Sequence, residues 1–150
     1  MNTIIVSAGV IIEKGAVLLS RRKKGTHLAD RWEFPGGKVE AGEDPRAALL
    51  RELDEELGIQ VVVGDIADVT FHRYEDAGKA VLLLFFFAMR RPGSPEPRAV
   101  DVAEVKWAGA GDLAQRMLAN TVVQAVHDRP YMPGSLPRGS AYSLNVRTVA

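Results

Sequence analysis

The sequence predicts a mixed α+β domain, and three observations support that fold class. Short apolar segments rich in β-branched residues recur along the chain, separated by turn residues. A strong helical pattern interrupts them. The length of 150 residues, of which 47% are hydrophobic, suits one compact core. We therefore expect one domain over residues 1–128 and a C-terminal tail over residues 129–150.

The first elements in the chain are predicted to be a β-hairpin and a loop. Thr3–Ile12 and Ala16–Ser20 are apolar segments joined by the turn Glu13-Lys14-Gly15. The polar stretch Arg21–Asp30 follows as a loop, and Pro35-Gly36-Gly37 is expected to break any regular element. The further strand candidates are Trp32–Phe34, Val61–Val63, Val69–Arg73, Ala80–Met89 and Val105–Trp107.

The helix is predicted over Pro45–Leu57. Asp44 is a good N-cap, and proline suits the first helical position because its missing N–H costs nothing there. Gly58 suits the left-handed position just after the helix. Apolar residues recur at spacings of three and four, which predicts a stripe that faces the core. The stripe consists of Ala47, Leu50, Leu53 and Leu57.

The C-terminal part of the chain shows weaker patterns. Asp112–Leu118 and Thr121–His127 are short helical candidates. The tail over 129–150 contains several prolines and glycines and shows no sustained period. We therefore expect it to be loop or partly disordered.

Composition excludes several classes of protein. The 19 basic residues balance 19 acidic ones, so no surface for a nucleic-acid polymer is indicated. The absence of cysteine excludes disulfide and thiolate metal sites. The most apolar run, Ala80–Met89, is shorter than the roughly 20 residues of a membrane helix, and Met1–Ile12 lacks the features of a cleavable leader. We expect a cytoplasmic monomer or homodimer with no membrane partner.

Acidic residues are concentrated on the predicted helix. Glu52, Glu55 and Glu56 fall at i, i+3 and i+4, so their carboxylates converge on one face and repel one another. Such a face is either solvated or a site for a hard divalent cation, which prefers oxygen ligands. Magnesium uses only one or two carboxylates and completes its shell with water and phosphate oxygens. A cation site of this kind would indicate phosphate chemistry.

The longer stretch around these glutamates decides between the two. From Gly37 to Ile59 the sequence is GKVEAGEDPRAALLRELDEELGI. It resembles the Nudix box: Gly, five residues, Glu, seven residues, then Arg-Glu-apolar-any-Glu-Glu-any-Gly-apolar, with every fixed position filled. A looser resemblance to MutT-like members of that family extends to about Asp128. The resemblance implies an α/β/α sandwich with a mixed central sheet, and hydrolysis of a nucleoside diphosphate linked to another group.

The resemblance also implies roles for residues of the box. Glu52, Glu55 and Glu56 would hold Mg²⁺, for which Mn²⁺ is a possible substitute, and the carbonyl of Gly36 would be an additional ligand. The ion would neutralise charge on the pyrophosphate and activate a water. The residues that would support the box are Gly37, Glu43 and Arg51.

The sequence offers two candidates for the general base that activates the attacking water. Glu55 itself is one candidate, and a carboxylate from a downstream loop is the other. Asp101 and Glu104 lie where MutT-like members carry an additional acidic residue, and we prefer Asp101. The alternative for either is a solvated loop acid. The catalytic residues expected are therefore Glu52, Glu55 and Asp101.

Residues upstream of the box are candidates for binding the nucleotide. In the basic run Arg21–Lys24 we expect Arg22 to reach the substrate phosphates, with most of its neighbours simply solvated. The following pattern, from His27 to Gly37, resembles MutT and the related cytidine triphosphate pyrophosphatases. Phe34 would stack on the base, and His27 would order the loop.

One position favours a purine substrate. Asn120 lies where MutT-like sequences carry an asparagine that recognises the edge of 8-oxoguanine, since an amide both donates and accepts. The alternative is an N-cap for a helix starting at Thr121. The main hypothesis is Mg²⁺-dependent hydrolysis of (8-oxo-)dGTP or a related purine nucleotide to the monophosphate and pyrophosphate, which sanitises the nucleotide pool. The alternatives are a pyrophosphohydrolase of CTP-type or nucleotide-sugar substrates and a non-catalytic nucleotide-binding domain.

Overall fold

The structure, a computed structural model, describes residues 2–26, 29–109, 121–125 and 144–148. It contains nine strands and one α-helix within those ranges, together with a short 3₁₀ turn at Glu75–Ala77. In chain order the elements are β1 Asn2–Glu13, β2 Ala16–Arg21, β3 Trp32–Glu33, β4 Gly36–Lys38, α1 Pro45–Leu57, β5 Val61–Tyr74, β6 Lys79–Arg90, β7 Glu104–Ala108, β8 Thr121–Ala125 and β9 Leu144–Thr148.

The main sheet is mixed and has seven strands. Its central path runs β3-β2-β1-β6-β5, with β4 paired to β1 and β7 paired to β2. β1 and β6 are parallel, and the other pairs in this sheet are antiparallel. The predicted α+β class and mixed sheet are therefore confirmed. No helix in the described ranges is long and apolar enough to cross a membrane.

The predicted hairpin forms as a two-residue turn between β1 and β2. Lys14 and Gly15 have positive φ angles of 50° and 75°, as the tight turns of twisted hairpins require. The two separate strands predicted at Val61–Val63 and Val69–Arg73 are instead one strand, β5. Its register against β6 shifts around Ile66, which marks a bulge, and the polar residues there interrupt the apolar pattern without ending the strand.

The prediction that Pro35-Gly36-Gly37 breaks regular structure is wrong for its two glycines, which begin β4. β4 pairs with β1, placing Gly36 opposite Ala8, and the Gly9 N–H donates to the Pro35 carbonyl at 2.8 Å. A Cβ on Gly36 would overlap the Ser7 carbonyl oxygen and lie 2.8 Å from the Cα of Ala8. The glycine thus allows close backbone approach rather than a turn.

The helix begins and ends where the sequence predicts. The carboxylate of Asp44 accepts hydrogen bonds from the N–H groups of Arg46 and Ala47, at 2.8 and 3.1 Å. Gly58 ends the helix in the left-handed conformation with φ of 66°. The buried hydroxyl of Ser7 on β1 donates to the Pro45 carbonyl at 2.8 Å, which attaches the start of α1 to the sheet.

The helix packs on the sheet through a face rotated from the predicted one. Leu53 and Leu57 are fully buried as expected, but Leu50 is 39% exposed and Ala47 is also exposed, so those two predictions are wrong. Ala48 and Leu49 take their places, and Leu49 packs over Gly9 of β1. The layer beneath α1 comprises Ile11, Leu18, Leu49, Leu53, Leu57, Ile59, Val61, Phe86 and Ala88, and the second core layer comprises Ala8, Val10, Val17, Leu19, Phe34, Phe85 and Ala108.

The structure corrects two predictions about the C-terminal part of the chain. Thr121–Ala125 is strand β8, so the helix predicted over Thr121–His127 is wrong there; its first three residues, Thr, Val and Val, are β-branched and suit a strand. Five residues of the tail form β9, which pairs antiparallel with β8, so the tail is not loop throughout. The helical candidate Asp112–Leu118, on which a second helical layer would depend, lies outside the described residues.

Replacement of Gly36 by alanine should destabilise the fold strongly. The added methyl group would collide with the backbone of β1 on both Ser7 and Ala8, which cannot move aside as a flexible side chain can. We expect a loss of about 3 kcal/mol in the free energy of unfolding, measured by urea denaturation. Gly109→Ala is the matched control: no atom lies within 4 Å of the added carbon, so its effect should stay within about 1 kcal/mol. Equal effects of the two substitutions would contradict this account.

Candidate functional site

Arg51 is the centre of an ion-pair network that joins the loop before α1 to the helix. Its Nε and Nη2 donate to the two carboxylate oxygens of Glu43 at 2.8 and 3.0 Å. Nη1 donates to Glu52 at 2.9 Å and to Glu55 at 3.3 Å, and Nη2 also donates to the Lys38 carbonyl at 3.1 Å. One guanidinium therefore holds β4, the loop and the helix in a single arrangement.

This network has a strong effect on ionisation. The hydrogen bonds from Arg51 lower the pKa of Glu43 to about 2, and the same bonds raise the pKa of Arg51. Glu43 also accepts from the Glu40 N–H at 2.9 Å, which orders the loop. Glu43 and Arg51, which were predicted to support the box, are thus in direct contact with each other.

Because Gly37 has no side chain, it leaves the space that the Glu52 carboxylate occupies. A Cβ on Gly37 would overlap that carboxylate, so any other residue would displace it. Glu52 is only 15% exposed, whereas Glu55 is 56% exposed. The rotation of α1 that buries Ala48 also turns Glu52 and Glu56, one and two turns later, towards β4. Glu55 lies at the outer edge of the same acidic face.

Glu56 lies where negative charge is least compensated. Burial, followed by repulsion from Glu52, Glu33 and Asp101, raises its pKa to about 8, against a smaller opposing effect of Arg22. Burial also raises the pKa of Glu33. The carboxylate of Glu56 is therefore close enough to those of Glu52, Glu33 and Asp101 to be repelled by all three. Glu33 was not among the residues predicted for the site, because nothing in a two-residue strand indicates which side chain turns towards a helix that follows later in the chain.

The segment after β6 brings Asp101 to the same region. The N–H groups of Val100 and Asp101 donate to the Glu56 carbonyl at 3.0 and 3.1 Å, and the Ala103 N–H donates to the Arg21 carbonyl at 2.9 Å. The segment thus joins the C-terminal half of α1 to the end of β2. Glu104 instead forms an ion pair with Arg21 at 3.2 Å.

Three of the four cations at the end of β2 form ion pairs. Arg21 contacts Asp30 at 2.8 Å and Glu104, and Arg22 contacts Glu33 at 3.2 Å. Lys23 contacts Asp101. The expectation that neighbours of Arg22 are simply solvated is therefore wrong for Arg21 and Lys23, because each finds a carboxylate from a segment distant in sequence.

Of the other three residues predicted to bind the nucleotide, the structure describes only Phe34. Phe34 is 5% exposed, and its ring meets that of Phe85 edge-on with centroids 5.6 Å apart. It is a core residue in this structure, and stacking on a base would require its ring to leave the core. His27 and Asn120 lie outside the described residues. The N-cap alternative for Asn120 loses its basis, since Thr121 begins a strand.

The donor set at this site suits a hard divalent cation. Other carboxylates repel that of Glu56, and a cation would relieve the repulsion that, together with burial, raises its pKa. Among the side chains that the structure describes, no three acidic or histidine groups converge closely enough to enclose an ion on their own. Magnesium does not require that, because water and substrate phosphates supply most of its ligands.

Comparison with known proteins agrees with this geometry. A family model of the NUDIX domain matches residues 3–128. A putative 8-oxo-dGTP diphosphatase 2 of Mycobacterium tuberculosis is 42% identical over 117 residues, which cover 75% of this chain and 77% of that protein. The CTP pyrophosphohydrolase of Escherichia coli is 45% identical over 83 residues, covering 55% and 60%. The solved MutT NUDIX hydrolase from Burkholderia pseudomallei superposes with a TM-score of 0.66 at 27% identity, covering 73% and 84%.

Arg51→Lys should impair the site although it keeps the charge. An ammonium group cannot donate at once to both oxygens of Glu43, to Glu52 and to the Lys38 carbonyl. We expect a lower melting temperature and a kcat reduced by roughly 100-fold, because Glu52 loses its orientation. Arg73→Lys, at an exposed position of β5, is the control. Wild-type kcat in Arg51→Lys would show that the network is dispensable.

The charge on Glu56 should make the metal-free protein less stable at high pH. The pKa of Glu56 rises from an ordinary 4.5 to about 8 in the folded protein, so its contribution to stability is complete below pH 4.5 and is lost as pH rises through 8. Glu56→Gln removes that loss. In EDTA the variant should match wild type near pH 4.5 and be more stable than wild type at pH 9, as measured by urea denaturation.

Magnesium provides the complementary test. It should stabilise wild type at pH 9 and stabilise Glu56→Gln much less, because the variant has lost one of the converging carboxylates. A difference between the two proteins that does not change with pH would show that Glu56 is not the titrating group.

Proposed function

The chain belongs to the NUDIX domain family, and we propose that it hydrolyses a purine nucleoside triphosphate, with 8-oxo-dGTP as substrate, to the monophosphate and pyrophosphate. The observation that carries the proposal is the position of Glu52 on the inner edge of α1, beside Gly37 of β4, with the partly buried Glu56 one turn later and repelled by it. Hydrolysis of this substrate would keep the oxidised base out of DNA. NUDIX hydrolases generally use divalent metal ions.

We propose that the cation is Mg²⁺, with Mn²⁺ as a substitute. Glu52, Glu55 and Glu56 would hold it, with the carbonyl of Gly36 as a further oxygen ligand. A bound cation supplies charge neutralisation on the pyrophosphate oxygens and lowers the pKa of a water for attack on phosphorus. Arg51 keeps Glu52 oriented through the hydrogen bond at 2.9 Å, so the carboxylate is in place before the substrate arrives.

The remaining roles belong to residues around the acidic region. Arg22 lies near Glu56 and would bind substrate phosphate in exchange for part of its contact with Glu33. Asp101 or Glu55 would accept the proton from the attacking water. The position of Asp101 beside Glu56 supports the first choice, since its backbone is hydrogen-bonded to the helix at that residue.

Two substrates have specific support. The relative of M. tuberculosis that is called a putative 8-oxo-dGTP diphosphatase matches 75% of this chain, and the E. coli CTP pyrophosphohydrolase matches 55%. The longer match favours the oxidised purine, and CTP is the second candidate. A non-catalytic binding domain is disfavoured, because the repelling carboxylates around Glu56 would be costly to keep without a cation.

The proposal is tested by a turnover panel with magnesium, using the four ordinary deoxynucleoside triphosphates, CTP, 8-oxo-dGTP and nucleotide sugars. We expect the highest kcat/KM for 8-oxo-dGTP and products resolved as monophosphate and pyrophosphate by chromatography. Preference for CTP would replace the substrate but keep the reaction. Absence of cleavage of every compound would contradict hydrolysis altogether.

The variant Glu52→Gln tests the proposal that the carboxylates of α1 hold the cation. The variant should lose at least roughly 1000-fold in kcat while it keeps its fold, because the change removes one charge and leaves the shape almost intact. Glu75→Gln, in the exposed 3₁₀ turn, is the matched control and should keep full activity. Retained activity in Glu52→Gln would contradict the assigned site.

A further inference from the structure

The backbone of Asp101 is hydrogen-bonded to α1, and the residue that contacts its side chain is distant in the sequence. Its N–H donates to the Glu56 carbonyl at 3.1 Å, while its side chain is 65% exposed. The carboxylate repels Glu56. Rotation about the side-chain bonds of Asp101 would move its carboxylate away from Glu56 and relieve the repulsion at little cost.

The side chain that holds Asp101 in place is Lys23. Its ammonium group donates to the Asp101 carboxylate across 78 residues of sequence. The backbone around Lys23 is itself fixed. The Arg22 N–H donates to the Arg31 carbonyl at 2.9 Å, and the Thr26 hydroxyl donates to the Lys23 carbonyl at 2.7 Å. The Lys23 ammonium group is therefore carried by backbone that is hydrogen-bonded at residues 22 and 23.

We propose that Lys23 is a positioning residue that keeps the carboxylate of Asp101 beside Glu56, where it accepts the proton of the attacking water. This inference rests on the proposed hydrolysis. Lys23 acts through Asp101, so it contributes to the reaction step rather than to substrate affinity. In the basic run the two cations thus have different tasks: Arg22 faces the phosphates, and Lys23 orients the base.

Kinetics of Lys23→Ala on the preferred nucleotide test the proposal. We expect kcat to fall by roughly 10- to 100-fold with KM changed less than about threefold, because the base is misplaced while the binding groups remain. Lys23→Arg should recover most of kcat, since a guanidinium can donate to the same carboxylate. Lys24→Ala, an exposed lysine next in the chain, is the matched control and should behave as wild type.

Two kinetic results would overturn the proposal. A rise in KM with kcat unchanged in Lys23→Ala would show that Lys23 binds the substrate phosphates instead. A full effect of Lys23→Ala in the Asp101→Asn background would show that it does not act through Asp101. The expected result is that Asp101→Asn abolishes most of the effect of the second substitution.

A measurement without substrate separates this inference from the proposed function. In the metal-free protein, the effects of Lys23→Ala and Asp101→Asn on the free energy of unfolding should be non-additive, because each removes the same ion pair. Additive effects would overturn the inference whatever the turnover. Failure of wild type to cleave any nucleotide, with non-additive effects, would contradict the hydrolysis while leaving the Lys23 contact in place.

Discussion

The two glycines of β4 let this strand lie close to both β1 and α1, and the arrangement of the site depends on that close approach. Gly36 lies against the backbone of β1, and Gly37 lies against the carboxylate of Glu52. With no side chain between them, the sheet, the loop and α1 meet at one place. Arg51 then closes this junction from outside through Glu43 and the Lys38 carbonyl. The acidic face of the helix is thus held at a fixed distance from the sheet.

Charge is distributed unevenly across this junction. On one side Arg51 compensates Glu43, whose pKa falls to about 2. On the other side Glu56 is surrounded by carboxylates, and its pKa rises to about 8. The compensated side is structural, whereas the uncompensated side is where a cation gains most from binding. The same helix therefore carries charge-compensated and uncompensated acidic residues, separated by about one turn.

The acidic residues proposed to hold the cation and the basic residues proposed to act around the substrate phosphates lie on different elements. The glutamates lie on a regular helix with well-determined caps. Arg22 and Lys23 lie in the loop after β2, whose charges are engaged by Glu33 and Asp101. Loops vary more than helices without loss of the fold, so relatives that share the acidic helix can differ in substrate. The similarity to relatives named for 8-oxo-dGTP and for CTP agrees with that division.

The sequence by itself determined the elements whose signals are local. The caps Asp44 and Gly58 bound α1 correctly, and the spacing of its glutamates predicted an acidic face. The tertiary structure alone decided which helical face is buried, since Leu49 packs against β1 whereas Leu50 is 39% exposed. It also decided the partners of charged side chains. The contact between Lys23 and Asp101 spans 78 residues, and no local pattern encodes a pair that forms only when two distant loops are brought together by the sheet.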